Sequence, residues 1–331
     1  MTDFIEKKVL VTGGAGFIGV NLVNALVESG ANVDVLDLPT ADFSSLPVGI
    51  NQIKINLLEL DQLEHDLLDY DFVFHLAAKT DLSGKNLADY AVNFEGTQLL
   101  IDSIRESKHL QKFVFYSTQL VVGIFNETRF IPTDEPYRTK TIYGQSKIIG
   151  EMITQDLCET YSIPYCIVRP TSVFGPFGKV PYRDFFLSIK NGPYFHIGKA
   201  NNLISMVFVK NLVDQTLFLA INENSNGMIF FGNDLHPYTM RQFVDVVAAF
   251  YDKSVPTIPK IIVYPVAYLL GILKLIGIPV PLYPFRLHNM TANYCYDIGN
   301  SLKLGYYPRF SLSKAIEETL SWYEINDPDF S

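Results

Sequence analysis

Cysteine is scarce in this 331-residue chain. Cys158, Cys166 and Cys295 are too few and too scattered for a disulfide framework, and they lack the paired spacing of a zinc site. They read as small buried hydrophobes of a reducing compartment, and no metal site is expected. Basic residues are outnumbered, 26 Lys and Arg against 35 Asp and Glu, for a net charge of −9. That balance removes any general pull on nucleic acid or anionic lipid, while a local basic pocket for a phosphorylated substrate stays possible. The first residues, Met1 to Lys8, carry both charge signs and have no signal-peptide layout, so the expected location is the cytoplasm. There is no internal repeat, low-complexity tract or long linker. Uninterrupted apolar runs of spanning length are also missing. Ile261–Leu282 comes nearest, but Pro265, Gly271, Gly277, Pro279 and Pro281 break it, and Lys274 would sit in hydrocarbon. It reads as a bent, buried element near a substrate pocket and not as a stable span, with peripheral membrane contact as the alternative.

What the chain does have is a globular composition, 48% hydrophobic and 18% charged. Its first half alternates β-rich runs with helical patterns, the mark of βαβ units and a parallel sheet. Strands are expected at Lys8–Thr12, Asn32–Asp37, Gln52–Asn56, Phe72–Ala78, Lys112–Thr118 and Tyr165–Pro170. Helices are expected near Gly16–Ser29, Leu60–Leu67, Ala91–Ser107 and Tyr143–Tyr161. Beyond Pro170 the pattern loosens. Helical pieces are expected at Phe185–Lys190, Leu212–Ile221, Thr239–Tyr251 and Ser313–Tyr323, with strands at Met206–Val209 and Met228–Phe231. The expected fold is α/β, a doubly wound parallel Rossmann-type sheet. Residues 1–170 form the cofactor domain, with returns near 204–233, and residues 171–331 are mainly a smaller substrate lobe.

The sharpest local motif is TGGAGFIG at Thr12–Gly19, directly after the first strand and opening the first helix. Gly13 permits the tight turn, Gly16 lets the backbone approach a pyrophosphate, and Gly19 lets the helix lie close to the sheet. The phosphates would meet the positive end of that helix, near Phe17 and Ile18. Asp37 ends the second strand, where a carboxylate accepts the ribose hydroxyls of NAD and repels the extra phosphate of NADP. No Lys or Arg follows in the next dozen residues, so NAD is the expected cofactor.

A second constellation is YGQSK at Tyr143–Lys147. Residues four apart share a helix face. An ammonium beside a phenol, with a cationic nicotinamide, would stabilise the phenolate and make Tyr143 a usable base. Lys147 could also reach the nicotinamide ribose.

With these pieces in order, the chain resembles the extended short-chain dehydrogenase/reductase family. That group includes NAD-dependent nucleotide-sugar epimerases and dehydratases and the 3β-hydroxysteroid dehydrogenases. Further matching segments are HLAA at 75–78, Asn93 in VNFEGT, YSTQLVVG at 116–123, RPTSVFGP at 169–176 and the ending from Tyr296 to Tyr323. The resemblance implies that Thr118 is the catalytic Ser/Thr, that Asn56 and Leu57 meet the adenine, and that Leu76, Ala77 and Ala78 line the cofactor path. It places Pro170 and Val173 at the nicotinamide and Ser172 towards the substrate. Asn93 would be mainly structural, and the assembly a homodimer.

Departures narrow the chemistry. The Asp-Glu pair of sugar 4,6-dehydratases is replaced by Gln119 and Leu120, neither of which exchanges a proton at neutral pH. Elimination, and decarboxylation that needs the Glu, are therefore disfavoured. Ile204-Ser205-Met206 stands where many sugar enzymes carry Arg-Asp-Phe, and Val122 replaces a usual Tyr. The expected activity is that of an NAD-dependent nucleotide-sugar epimerase or oxidoreductase at a sugar carbinol. Arg183 and Arg286 are the candidate diphosphate partners, and finding them turned towards the pocket would favour it. The alternative is a hydroxysteroid-dehydrogenase-like enzyme on an apolar hydroxy substrate. A non-catalytic regulator is disfavoured by the intact Tyr143, Lys147 and Thr118.

Overall fold

The structure is a computed structural model that describes residues 3–63, 67–123, 128–179, 181–192, 194–275, 277–278, 280 and 282–330; the side chains at 275, 285, 286 and 289 lie outside that description. Seven strands build one parallel sheet: β1 (Lys8–Thr12), β2 (Asn32–Asp37), β3 (Asn51–Lys54), β4 (Phe72–His75), β5 (Lys112–Tyr116), β6 (Tyr165–Pro170) and β7 (Met228–Gly232). They lie in the order β7-β6-β5-β4-β1-β2-β3, which is the doubly wound Rossmann topology reversing between β1 and β4. The parallel register sets Val9 beside Val33 on one side and Phe72 on the other.

Alternate side chains of each strand point to opposite faces, and here both faces are dry. On one, Val9, Val11, Phe72, Phe74 and Val168 pack against α1 (Phe17–Glu28) and the later helix Val209–Ile221, through Leu22, Leu26, Leu212 and Leu217. On the other, Leu10, Val73, Phe113, Phe115 and Ile167 meet α2 (Glu95–Ile104) and α3 (Ile142–Thr160), through Leu100, Ile104 and Cys158. Each fully buried side chain of this size is worth about 1.5–3 kcal/mol, so strand order and helix side are fixed together. A third core joins α4 (Tyr182–Asn191), α5 (Val209–Ile221), α6 (Met240–Phe250) and the C-terminal helix Leu312–Asn326 around Phe174, Phe186, Phe243 and Tyr323. That lobe is tied to the sheet by Asn21 Nδ2, which donates to Pro176 O at 3.0 Å, and by the Tyr323 hydroxyl, which donates to Gly178 O at 2.8 Å.

Three expectations need correction. In place of the helix expected near Leu60–Leu67 the chain forms a kinked 3-10 turn at Leu57–Gln62, with Asn56 accepting from Leu58 N at its start; residues 64–66 of the expected helix lie outside the described residues. The long helix from Ala91 starts instead as a capped 3-10 segment, Leu87–Asn93, with α2 beginning only at Glu95. The largest correction concerns the apolar segment. Lys260–Leu275 forms α7, followed by α8 (Pro284–Thr291), but α7 is not buried over a pocket. Val263 and Ala267 are its buried anchors, packed near Ile197 and Leu287. Ile261, Ile262, Val266, Tyr268, Leu269 and Ile272 face outwards. Continuous apolarity carries no facial periodicity, so the sequence could not say which side met the core. Among the described residues, no helix is long and apolar enough to cross a membrane.

Candidate active site

The carboxyl ends of β1, β2, β4, β5 and β6 open on one cleft of about 730 Å³ at the β1/β4 switch point. Its floor is the glycine loop. Gly13 has φ +71 and donates to Leu36 O at 2.8 Å; a Cβ there would lie 2.6 Å from Ala77 N. At Gly19 an added Cβ would stand 2.2 Å from Gly13 O, so α1 can approach the turn only with glycine in place. A Cβ at Gly16 would meet Gly13 O alone, at 3.2 Å, leaving its remaining surroundings to the cleft. Gly16 caps α1 without a side chain and no acidic residue stands in the first turn, so the helix offers unshielded N–H groups beside Phe17 and Ile18.

Asp37 reaches across from β2. Its carboxylate accepts from Ala15 N at 3.0 Å and Leu38 N at 2.8 Å. Burial raises its pKa above the ordinary carboxylate value, and these two N–H donors pull it back down. Asn56, Leu57, Leu76, Ala77, Ala78, Pro170 and Val173, the residues that the resemblance assigned to the cofactor, line the same cleft. The loop after β4 is held from below. His75 accepts or donates to Thr12 Oγ1 at 2.7 Å and Thr97 Oγ1 at 2.9 Å, and burial, reinforced by Lys147, pushes its pKa down to about 3. It is a neutral strut.

The reactive end is built by α3 and the end of β5. The Thr141 hydroxyl accepts from Gly144 N at 2.9 Å and starts α3, which sets Tyr143 and Lys147 on its cleft face. Tyr143 and Thr118 both line the cleft, near enough for the Thr118 hydroxyl to act on the Tyr143 phenol, while Thr118 Oγ1 accepts from Leu120 N at 3.3 Å. Lys147 is fully buried, its Nζ 4.1 Å from the centre of the Phe115 ring. Desolvation raises the Tyr143 phenol to about 12, with Thr118 opposing, and lowers the Lys147 ammonium to about 7, with Glu151 opposing. The sequence argument has Lys147, with a cationic nicotinamide, lowering the Tyr143 pKa; of the protein groups, Thr118 is the one that opposes the rise from burial.

Other expected substrate residues are placed elsewhere. Ser172 is absent from the cleft lining and stands close enough to Tyr182 to oppose the rise that burial gives its phenol. Arg183 is committed to the C-terminal segment, donating to Asp327 at 2.8 Å and also to Asp329. Its expected diphosphate role therefore loses the free guanidinium it needs. The Arg286 side chain lies outside the described residues. Sequence reasoning passed over Lys79, Thr80, Ser117 and Thr171, all of which line the cleft. Lys79 follows HLAA directly, which was the available sign. Ser117 Oγ and the neighbouring Gln119 Oε1 are buried with no partner among the described residues, next to Thr118. A second cavity of about 210 Å³ is polar, with Asn201, Asn202, Lys260, Thr291 and Asn293 at its wall.

The model of the NAD dependent epimerase/dehydratase family matches residues 9–229. The chain belongs to this family. Its cofactor is NAD, and it is an enzyme of the extended short-chain dehydrogenase/reductase type. Relatives over nearly the whole chain include a 3-beta-hydroxysteroid dehydrogenase of Mycolicibacterium neoaurum, 26% identical over 96% of this chain and 91% of the relative. The decarboxylating sterol-4-alpha-carboxylate 3-dehydrogenase of Mus musculus is 27% identical over 95% and 90%. Among solved structures, a UDP-glucose 4-epimerase from Thermotoga maritima with UDP-glucose superposes with a TM-score of 0.75 at 22% identity, covering 96% of this chain and 99% of that one. At that identity the likeness concerns the fold.

The cleft of this family member fits NAD on its own geometry. The glycine turn leaves room where a side chain would intrude, the α1 N-terminus offers donors for a pyrophosphate, and the Asp37 carboxylate keeps lone pairs free for ribose hydroxyls.

Proposed function

We propose that this enzyme oxidises and reduces a secondary carbinol, with Tyr143 moving the hydroxyl proton, Thr118 holding the same oxygen and Lys147 setting the Tyr143 pKa. NAD, when bound, supplies the hydride acceptor and donor. The observation that carries the reading is that Tyr143, Thr118 and Lys147 line one cleft with the glycine loop and Asp37. Tyr143 and Thr118 line the same end of the cleft, so a carbinol oxygen placed there meets a proton acceptor and a donor at once. Charging Lys147 in this dry pocket, together with the cationic nicotinamide, favours the phenolate.

For the substrate, the apolar hydroxy class is the better supported. Arg183 is paired with Asp327 and Asp329, and buried Ile204 stands where many sugar enzymes carry Arg, so two cations that would meet a diphosphate are missing. The names of the near-full-length relatives point the same way, towards a 3-hydroxy group on a sterol. The nucleotide-sugar reading keeps one supporting observation, the polar cavity in which Lys260 stands among Asn201, Asn202 and Asn293.

The test is a paired screen. Hydroxysterols and other apolar secondary alcohols are followed by NADH formation, and UDP-, GDP-, CDP- and dTDP-sugars by mass and NMR, since epimerisation leaves NAD unchanged overall. Tyr143→Phe should bind NAD like the wild type and lower turnover by about two to four orders of magnitude. Near-wild-type turnover in that variant would remove Tyr143 from the mechanism.

A further inference from the structure

We propose that the outer face of α7 docks the enzyme on the surface of an anionic phospholipid bilayer. This inference rests on the exposed face of α7 and holds for either substrate class, although Lys260, at the start of α7, also lines the second cavity.

Two buried residues, Val263 and Ala267, hold α7 to the body through Ile197 and Leu287, and they account for one narrow stripe of the helix. Leu270, Gly271 and Leu273 are half-buried, and the other described apolar side chains of α7 face outwards. Ile261 is 82% exposed, Leu269 64% and Ile272 60%, and Ile262, Tyr264, Val266 and Tyr268 are exposed beside them. A soluble surface carries scattered apolar side chains, but so many on one helix mark an interaction face. At about 1.5 Å per residue the 16 residues of α7 extend roughly 24 Å, short of the hydrocarbon thickness, so the helix fits lying in the interface and not crossing it.

Charge names the occupant. The chain has 35 acidic residues, yet none falls between Lys253 and Tyr296, while Lys253, Lys260, Lys274 and Arg286 do. A protein of net charge −9 thus carries its exposed apolar helix in an acid-free, cationic segment. Lys260 and Lys274 are exposed near the two ends of α7, and Lys274 Nζ lies 3.1 Å from the centre of the Tyr283 ring. Apolar side chains and tyrosines flanked by lysines are the pattern of an interfacial helix, with lysines at the headgroups. A self-complementary contact between two copies would set these cations against each other with no carboxylate in the segment to pair them. Anionic headgroups supply that missing partner.

The experiment is sedimentation of the purified full chain with phosphatidylcholine vesicles and with mixed phosphatidylcholine–phosphatidylglycerol vesicles. The expected result is binding to the mixed vesicles that weakens with salt and is about tenfold or more weaker on phosphatidylcholine alone. Leu269→Glu with Ile272→Glu should abolish it, as should Ile261→Glu by itself, while NAD affinity and thermal midpoint stay at wild-type values. Lys260→Glu with Lys274→Glu should remove the preference for the anionic vesicles. Absence of wild-type sedimentation overturns the proposal, as does binding that the glutamate variants leave intact. Self-association abolished by the same variants, without vesicle binding, would assign the face to a second copy instead.

Discussion

Asn93 donates from Nδ2 to Ser146 Oγ at 2.9 Å, and Ser146 in turn donates to the carbonyl of Tyr143 at 2.7 Å. The same Asn93 amide receives Lys79 N–H at 2.8 Å and donates to Lys79 O at 3.0 Å. One fully buried side chain therefore fastens the cofactor-lining loop after β4 to the helix that carries the reactive pair. Its role is positional, since Asn93 itself does not line the cleft.

Asn93→Ala should accordingly destabilise the fold by about 2–4 kcal/mol, because Lys79 and Ser146 lose buried partners. Urea unfolding monitored by circular dichroism measures it. A loss below about 0.5 kcal/mol would mean that the loop and helix are held by other contacts.

Cofactor choice should follow Asp37. Replacing it with Ser, together with Leu38→Arg, removes the carboxylate that repels a 2′-phosphate and adds a partner for it. NAD affinity should fall and NADP binding appear, read by calorimetry with both cofactors. The double change also frees Ala15 N–H, which Asp37 now caps. Tighter binding of NADP than NAD by the wild type would contradict the charge argument.

The parts of the molecule legible in sequence were those whose cause is local. β1, β2 and β6 have the bounds expected from the sequence, and the glycine turn, Asp37 and the Tyr143–Lys147 spacing each announce themselves within eight residues. The strand order then carries them to one cleft. What escaped has causes distant in the chain or invisible in composition. Arg183 is neutralised by Asp327 and Asp329, 144 and 146 residues further on. The outward face of α7 depends on how little of the body stands against it, which an evenly apolar run does not encode. The Leu60–Leu67 stretch has helical spacing, yet the backbone departs from helical geometry already at Glu59, inside the turn Leu57–Gln62.

Dehydration of a 4,6-dehydratase substrate should be absent. Thr118 is followed by Gln119 and Leu120 in a short 3-10 turn, so neither position next to the reactive hydroxyls can give or take a proton. Incubation with dTDP-glucose and NAD should leave the sugar unchanged by NMR. A 4-keto-6-deoxy product formed at enzymatic rates would show that groups elsewhere in the cleft supply the acid and base.

Lys147 should leave a mark on stability as well as on turnover. Burial pushes its ammonium down to about 7, against about 10.4 for an exposed lysine. Below pH 7 the folded and unfolded chains both hold the proton, and the fold carries the full cost of burying it. Between roughly pH 7 and 10 the unfolded chain still holds a proton that the folded chain has released, so stability rises with pH through that window. Lys147→Met has no such proton and similar length. The stability of the wild type relative to this variant should therefore grow by about 1–3 kcal/mol between pH 6 and 9, measured without cofactor by urea unfolding. Taking the difference cancels most of the other titrating groups; His75, whose pKa the Lys147 charge lowers, is one that changes with the substitution. A pH-independent difference would mean that Lys147 stays charged throughout, and the phenolate at Tyr143 would then already have its counter-ion before NAD arrives.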